Sequence, residues 1–394
     1  MLILRNAHLL TMAGPAIGNG FLTACDGRVL TVGPMSGCPL PGPDDEVIDA
    51  AGRYVMPGLV DAHCHVGVFG DGLGFEGDDG NEMTDPVTPH LRAIDGVDHA
   101  DRAFREALSG GVTTVVTGPG SANVIGGQFA ALKTVGRTVD EMAFKAPCAM
   151  KIAFGENPKS VYHEKHQTPT TRMATAALLR EQLMKAREYQ NLLEEHEADP
   201  DEHDRPEYDM KLEALLPVLR GELVVKAHAH RADDIATALR IRKEFELDLT
   251  IEHATEAWMM ADVLREAGVD IVIGPLLTNR SKPELRHQEI GAAGRLVAAG
   301  VRPAIMTDHP EVPVQHLLLC AGVAVREGMP PEDALRAITL RAAEVCRIQD
   351  RVGSLEPGKD ADFIVLSGEP FQLSTQVELT VIGGRIAYRR EREA

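Results

Sequence analysis

The sequence predicts an α/β protein in which a (β/α)8 TIM-type barrel carries a small β-sandwich domain formed by both chain ends. In the middle of the chain, apolar strand-like runs alternate with helical patterns, which is typical of parallel strands with helices outside. Both ends instead show short strands and frequent turns. Residues with reactive side chains fall at the carboxyl ends of the predicted strands, and this favours a closed barrel over a doubly wound sheet.

The two ends of the chain have similar patterns. Residues 1–56 predict short strands separated by turns, and residues 355–394 predict further strands at Asp362–Leu366 and Val377–Ile382. Neither end has enough strand to enclose a core alone. We therefore expect the two ends to pair as parts of one β-sandwich, with residues 57–354 forming the barrel between them.

The barrel needs eight strands, and seven apolar runs fit buried strands. They are Gly58–Ala62, Val112–Thr117, Cys148–Phe154, Leu223–Ala227, Leu247–Glu252, Val269–Ile273 and Val301–Met306. The eighth is placed near Val124–Ala130. Residues 156–221 interrupt the alternation with a helical run from Arg172 to about Glu197 and a very polar segment. This excursion either covers the active site or is a solvated helical insertion.

Composition narrows the class of partner. The formal net charge is −19 with no long basic run, so we expect neither a nucleic-acid nor an anionic-membrane surface. No run approaches the roughly 18 apolar residues that span a bilayer, and the first residues lack the apolar core of a signal peptide. The six scattered cysteines are typical of reduced, buried thiols. We expect a cytoplasmic homo-oligomer that acts on a small molecule.

The strongest local motif ends the first predicted barrel strand. Pro57–Ala62 is followed by His63, Cys64 and His65. Side chains of a strand alternate between its faces, so His63 and His65 project to the same side. Neutral imidazole binds zinc, nickel or iron ions well. By itself a pair of histidines two residues apart occurs often by chance, but the preceding residues Pro57–Ala62 (PGLVDA) raise the weight of this motif a great deal.

Three further strands end in metal-ligating residue types. His228 ends the run beginning at Val224, His253 ends the next, and Asp308 follows Ala304–Thr307. Each alone is explained better by a structural histidine or a capping aspartate. All of them at the carboxyl ends of barrel strands predict a common metal site.

Together with Val352–Asp362 (VGSLEPGKDAD), these motifs resemble the amidohydrolase superfamily, in particular imidazolonepropionase and prolidase-like metal-dependent amidohydrolases. The resemblance runs nearly end to end. It implies a (β/α)8 barrel, one or two divalent metal ions with zinc expected, and hydrolysis at a carbon centre. Carried over position by position, the implied metal ligands are His63, His65, His228, His253 and Asp308.

The fourth strand offers two candidate ligands. Lys151 stands where two-metal members of the superfamily have a lysine carboxylated by carbon dioxide, and Glu156 ends the strand where other members use a glutamate. Lys151 as a carboxylated ligand and Glu156 as a ligand or a neighbour of one are both expected. The alternative for Lys151 is a buried ion-pair partner.

His230 and Arg231, which follow His228 in the chain, are expected to face the substrate. His230 shares the strand face of His228, and with Arg231 it could hold a carbonyl or carboxylate. Arg231 is equally compatible with a surface cation that begins the next helix. The glycine-rich run Thr117–Gln128 lacks the GK[ST] of a phosphate-binding loop and predicts a tight loop that lines the pocket.

The resulting hypothesis is hydrolysis of a carbon–nitrogen bond by metal-activated water. A divalent cation lowers the pKa of bound water from 15.7 towards about 7, and Asp308 transfers the proton to the leaving nitrogen. Either the same cation or His230 polarises the carbonyl. The expected substrate is a dipeptide or an N-acyl amino acid. The alternatives are a cyclic amidohydrolase or deaminase of the imidazolonepropionase type and, in a different class, a non-catalytic scaffold.

Overall fold

The computed structural model describes residues 1–70 and 72–391, so residues 392–394 of the predicted C-terminal segment and Asp71 of the predicted barrel lie outside the described part. Two eight-stranded sheets and a layer of helices make up the chain. One sheet is the barrel and the other is built from both chain ends. The predicted fold class, an α/β barrel with a small β-domain from both ends, is confirmed.

The small domain is built from eight strands of the two chain ends. They are β1 (Leu2–Leu9), β2 (Ile17–Cys25), β3 (Arg28–Pro34), β4 (Glu46–Asp49), β5 (Tyr54–Pro57), β14 (Phe363–Leu366), β15 (Val377–Ile382) and β16 (Arg385–Arg389). Their order is β16–β15–β14–β5–β1–β2–β3, with β4 paired to the start of β1. Leu4, Leu22, Phe363 and Val381 share its buried core. Antiparallel pairing of β14 with β5 joins the two ends directly.

The second sheet is the barrel. Its strands are β6 (Leu59–Cys64), β7 (Val112–Thr117), β8 (Ile125–Lys133), β9 (Ala143–Ala153), β10 (Val224–Ala229), β11 (Leu249–His253), β12 (Asp270–Ile273) and β13 (Ala304–Ile305). Neighbours in sequence are neighbours in the sheet. The backbone N–H of Asp308 donates to the carbonyl of His63 at 3.2 Å, and that of His65 donates to His309 at 2.9 Å. These bonds close the ring between β13 and β6.

One barrel strand runs against the others. β8 is antiparallel to both β7 and β9, whereas the remaining pairs are parallel. The location predicted for the eighth strand is confirmed, but the expectation of uniformly parallel strands is wrong at this point. A parallel neighbour requires a crossover connection, usually a helix. The residues between β7 and β8 contain no helix, so the chain turns back on itself.

Twelve α-helices connect and surround the strands. They are α1 (Arg102–Ser109), α2 (Val139–Met142), α3 (Glu156–Glu164), α4 (Arg172–Ala198), α5 (Met210–Glu213), α6 (Leu216–Leu219), α7 (Ala232–Phe245), α8 (Ala261–Ala267), α9 (Ala292–Ala298), α10 (Leu317–Arg326), α11 (Pro331–Ala337) and α12 (Leu340–Val345) within the described ranges. The long helix predicted from Arg172 is confirmed as α4. None of the described helices is both long and apolar enough to cross a membrane.

Candidate metal centre

Side chains of a barrel strand alternate between its inner and outer faces, and this alternation places the chemically active side chains inside the barrel. On β6 and just beyond it, Asp61, His63 and His65 alternate with apolar residues, and all three are buried. β10 repeats the pattern with Lys226, His228 and, one residue past its end, His230. Every second side chain of a strand points to the same face. The two strands therefore line the barrel interior with imidazoles at its carboxyl end.

The first group of donors is His63, His65 and Asp308, whose ligand atoms lie within 4.8 Å of one another. Nε2 of His65 lies 3.3 Å from Oδ1 of Asp308, and Nε2 of His63 lies 3.8 Å from the same oxygen. Asp308 has a φ of 54°, a left-handed conformation that aspartate tolerates better than most residues. This sharp turn after β13 directs the carboxylate toward the two histidines.

The second group is His228, His230 and His253, again with ligand atoms within 4.8 Å. The ring centroids of His228 and His253 are 4.2 Å apart, and those of His230 and His253 are 4.6 Å apart. His253 also lies beside the first group, with its ring centroid 5.5 Å from that of His63. The two groups are therefore adjacent compartments of one centre.

Lys151 lies beside the first group. Its Nζ is 3.0 Å from Nε2 of His63, and its side chain is fully buried. Burial lowers the pKa of the Lys151 amine to about 8, since a buried ammonium loses its hydration. The structure thus brings Lys151 to the histidines, with an amine that is partly neutral near physiological pH.

The histidines are held in their neutral form. Burial lowers the pKa of His228 to about 4 and lowers the pKa of His63, His230 and His253 well below the ordinary value. Burial alone would raise the pKa of Asp308, but the hydrogen bond with His65 and the charge around it hold the pKa below its usual value. Neutral imidazoles and an ionised carboxylate are the protonation states in which these groups ligate metals.

These groups fit a divalent cation. Nε2 of His230 is buried and has no hydrogen-bond partner among the described residues. A buried polar atom without a partner costs free energy, and a cation supplies the partner that this nitrogen lacks. Clustered neutral imidazoles with a carboxylate are also the donor types that zinc prefers.

A buried ion pair behind the first group supports His63. Glu252 lies with Oε2 2.8 Å from Nδ1 of His63, and both its oxygens accept hydrogen bonds from Lys226 Nζ at 3.2 Å. Carboxylates that hold the far nitrogen of a ligating histidine fix its orientation. Sequence reasoning missed Lys226 and Glu252. The signal was present, because Lys226 stands two residues before His228 and therefore shares its inward face.

Asp61 joins the first and last barrel strands. Its carboxylate accepts hydrogen bonds from the backbone N–H groups of His63 and Thr307, each at 3.3 Å, and from the Thr307 hydroxyl. Burial raises the pKa of Asp61 to about 7. This link fixes the spacing between the strand that carries His63 and the turn that carries Asp308, and sequence reasoning also missed it.

The structure does not bring Glu156 or Arg231 into either donor group. Glu156 begins α3, and its Oε2 accepts a hydrogen bond from the backbone N–H of Glu284 at 3.3 Å. Arg231 forms a bidentate pair with Asp233 at 2.9 and 2.8 Å, beside the start of α7. A different carboxylate, that of Glu284, lies beside the second group, with Oε1 3.6 Å from Nε2 of His230. It comes from a polar loop with no pattern that sequence reasoning could use.

Both donor groups open on a cavity of about 380 Å³. Its walls include His65, His230, Asp308 and the loop residues Gly120 and Ser121, as expected for the glycine-rich loop. A larger cavity of about 1120 Å³ adjoins it at Asn81 and is lined in part by Tyr208, Met210 and other residues of the 156–221 excursion. That excursion therefore mainly walls the outer cavity.

A closed barrel with histidines and a carboxylate at the carboxyl ends of its strands has the arrangement of a metal-dependent barrel enzyme. The model of the amidohydrolase family matches residues 54–387, and the chain belongs to this family. It is therefore a hydrolase that acts on carbon–nitrogen bonds, and the superfamily resemblance seen in the sequence is confirmed. Members of the family are metal-dependent.

Two curated relatives illustrate the similarity in sequence. Amidohydrolase tasK from Hapsidospora irregularis is 30% identical over 351 residues, which are 83% of this chain but 36% of that protein's length. Imidazolonepropionase from Symbiobacterium thermophilum is 26% identical over 422 residues, covering 93% of this chain and 91% of that protein.

Among solved structures, an amidohydrolase from Thermotoga maritima MSB8 matches with a TM-score of 0.93 at 42% identity, covering 99% of this chain and 100% of that chain. A Xaa-Pro dipeptidase with bound methionine matches with a TM-score of 0.60 at 18% identity, covering 99% and 100%. This last match shows the shared fold alone.

Proposed function

We propose that this chain cleaves the amide bond of a small substrate, such as a dipeptide or an N-acyl amino acid, with one or two bound divalent metal ions. The observation that carries the proposal is the pair of adjacent donor groups, all buried, facing one cavity. His63, His65 and Asp308 would hold one ion, and His228 and His253 would contribute to a second. Zinc is the metal that this set of imidazoles and a carboxylate favours.

The metal would supply a Lewis acid and a nucleophilic water near neutral pH. Asp308 would hold the proton of the attacking water and return it to the leaving nitrogen. Two features support this role: the carboxylate is ionised, because hydrogen bonding with His65 lowers its pKa, and it lines the cavity in which substrate must lie.

Lys151 is proposed as a carboxylated ligand shared by the two groups. Its nitrogen would add to the carbon of carbon dioxide, forming an N–C bond and releasing one proton, which requires the neutral amine. Two observations support the proposal: Nζ lies 3.0 Å from Nε2 of His63, and burial lowers the amine pKa to about 8. A mass increase of one carbon dioxide at Lys151, measured on intact protein at pH 8, tests it.

The cavity favours a small substrate that carries a carboxylate. Its volume of about 380 Å³ suits a dipeptide-sized molecule. Lys282 on its wall offers a cation to the carboxylate that dipeptides and N-acyl amino acids share. The alternative is a cyclic amide, supported by the end-to-end similarity to an imidazolonepropionase. A stoichiometry near one metal ion with unmodified Lys151 would favour that alternative.

A substrate screen with matched variants tests the proposal. Purified protein is assayed against dipeptides, N-acyl amino acids and cyclic amides, with metal content measured on the same samples. His63→Ala should lose the ion held by the first group and lose activity, whereas His203→Ala, at a half-exposed histidine outside the centre, should keep its full metal content and activity. Full activity of His63→Ala, or turnover of cyclic amides alone, would contradict the proposed reaction.

A further inference from the structure

The carboxylate of Glu284 lies among the histidines of the second group. Its Oε1 is 3.6 Å from Nε2 of His230 and 3.8 Å from Nε2 of His228, and the side chain is 1% exposed. Both distances are too long for a hydrogen bond and too short for a bridging water. Ligand atoms of a tetrahedral zinc ion, each about 2.0–2.2 Å from the metal, are separated by about 3.4 Å. The spacing therefore fits neighbouring ligands of one ion.

The backbone around Glu284 is shaped to hold it there. Its Oε2 accepts a hydrogen bond from the backbone N–H of Glu156 at 3.0 Å, and its own N–H donates to Oε2 of Glu156 at 3.3 Å. Gly155 has a φ of 83°, and a Cβ at this position would lie 2.8 Å from Oε2 of Glu284. This reciprocal pair and the glycine beside it place a single carboxylate oxygen toward the histidines.

We propose that Glu284 is a protein ligand of the second cation site, which is completed by His228, His230 and His253. The site then has three imidazoles and one carboxylate, and Glu284 reaches it from the loop after the seventh strand rather than from a strand end. In this assignment His230 binds the cation instead of the substrate, and Glu156 is a positioning residue for Glu284. The assignment rests on the proposed metal dependence of the reaction and names the donors of one of its two ions.

An ion pair with Lys282 offers a competing explanation for the buried position of the Glu284 carboxylate. Its Nζ lies 2.8 Å from Oε1 of Glu284 and donates to Oδ1 of Asn157 at 2.9 Å. If the lysine were the only cation that Glu284 serves, the unpartnered nitrogen of His230 would stay without a partner. Lys282 is also 29% exposed, so its ammonium can turn toward the cavity when a metal ion takes its place.

The test measures zinc binding directly. Protein stripped with a chelator is titrated with zinc by calorimetry, and bound metal is counted by elemental analysis. The native chain should bind two ions, and Glu284→Gln should bind the second at least 100-fold more weakly, beyond the 10–100-fold loss expected when a residue only orients a ligand. His63→Ala should lose the other ion and keep this one. Glu289→Gln, on the same loop but paired with Arg295 at the surface, should bind both normally.

Two further measurements separate a ligand from a structural role. In cobalt-loaded protein, Glu284→Gln should alter the visible ligand-field bands, while circular dichroism stays unchanged. Lys282→Met should keep or tighten the second ion, because it removes a competing cation. Two ions bound with native affinity in Glu284→Gln, or a second ion lost in Lys282→Met alone, would overturn the assignment.

These outcomes are distinguishable from failure of the proposed reaction. Zinc binding that depends on Glu284 in a protein that cleaves no amide would support the site and reject the reaction. Amide hydrolysis with unchanged zinc content in Glu284→Gln would support the reaction and reject the site.

Discussion

Individual side chains at the carboxyl ends of the barrel strands carry the chemistry. Asp308 is held in a left-handed conformation with its carboxylate 3.3 Å from His65 and 3.8 Å from His63. The same carboxylate is ionised and faces the cavity. Its position serves both metal binding and proton transfer, and substitution can separate these two roles.

Asp308→Asn should retain metal and lose turnover. The amide keeps one oxygen as a metal donor, but it cannot accept a proton, and general acid–base catalysis contributes about 10²–10⁴-fold. We expect kcat to fall within that range while metal content stays near native. The exposed Asp44→Asn is the control. An Asp308→Asn protein with native kcat would show that another group carries the proton.

The sequence predicted the site residues whose spacing follows strand geometry and did not predict those set by loops. His63, His65, His228 and His253 stand at or just beyond the ends of apolar runs, and the structure brings them together with Asp308. Glu284 has no such context, because its loop has neither helical nor strand period. Glu156 was expected as a ligand or a neighbour of one; the structure places its carboxylate on the backbone N–H of Glu284, and it is the Glu284 carboxylate that lies beside the histidines.

Secondary-structure elements show the same division between local pattern and tertiary context. The strands and the long helix α4 follow from apolar periodicity. The reversed direction of β8 depends instead on the connection between β7 and β8, which contains no crossover helix. The glycine-rich segment before β8 was correctly expected to line the pocket. Its shortness, which rules out a helical crossover, was the available sign that the next strand would run antiparallel.

Gly155→Ala should weaken binding of the second ion. An added Cβ would lie 2.8 Å from Oε2 of Glu284, and the positive φ of 83° is strained for alanine. We expect zinc affinity at that site to fall about 10–100-fold, the loss seen when a ligand's support is removed. Gly268→Ala is the control, because that glycine also has a positive φ but open space around it. Equal zinc affinities in the two variants would contradict the proposed support.

Ion pairs link the amino ends of β11 and β12, at the end of the barrel opposite the donor groups; this set of ion pairs is called the clamp. Asp270 begins β12 and accepts hydrogen bonds from Arg341 at 2.5 Å and Arg347 at 2.8 Å, and Arg347 also pairs with Asp248 at 2.6 Å. Burial would raise the pKa of Asp270, but the two guanidinium groups outweigh it and the pKa is lowered. In such barrels this end contributes to stability and the other to function.

Asp270→Asn should therefore destabilise the protein in a pH-dependent way. Losing the charged partner should lower the free energy of unfolding by about 1–3 kcal/mol at pH 7. Because the native pKa is depressed, this contribution is present above the unfolded pKa of about 3.9 and disappears as the pH falls through the lower native pKa. Urea unfolding at pH 7 and at about pH 3.5 measures the change.

The matched control for this clamp is the exposed pair of Arg92 and Asp95. Asp95→Asn should change the free energy of unfolding by less than about 0.5 kcal/mol. A constant difference between Asp270→Asn and the native protein across both pH values would contradict the electrostatic explanation.

At the scale of the whole molecule, metal binding should couple to global stability. The donor groups join β6, β10, β11 and the turn after β13, so a bound ion cross-links opposite sides of the barrel. A metal ion that binds only the folded state stabilises that state by about 4 kcal/mol when its free concentration is 1,000 times its Kd. For a chain of 394 residues this corresponds to a rise in Tm on the order of 5 °C.

Calorimetry of chelator-stripped and zinc-reloaded protein tests this coupling. Stripping should lower Tm and reloading should restore it, while magnesium, which prefers oxygen ligands, should not. Identical Tm values with and without zinc would contradict the prediction that metal binding at the donor groups stabilises the folded protein.

The pairing of β14 with β5 has a consequence for how the protein is made. β5 leads into β6 through Pro57 and Gly58, and the N–H of Gly58 donates to the carbonyl of Asp362 at 3.0 Å. During synthesis, β5 and the histidine-bearing strand that follows it emerge well before the residues from 362 onward that pair with β5. A chain that stops short of β14 leaves one edge of β5 unpaired, so the strand that leads into the histidines lacks this support until β14 has been made.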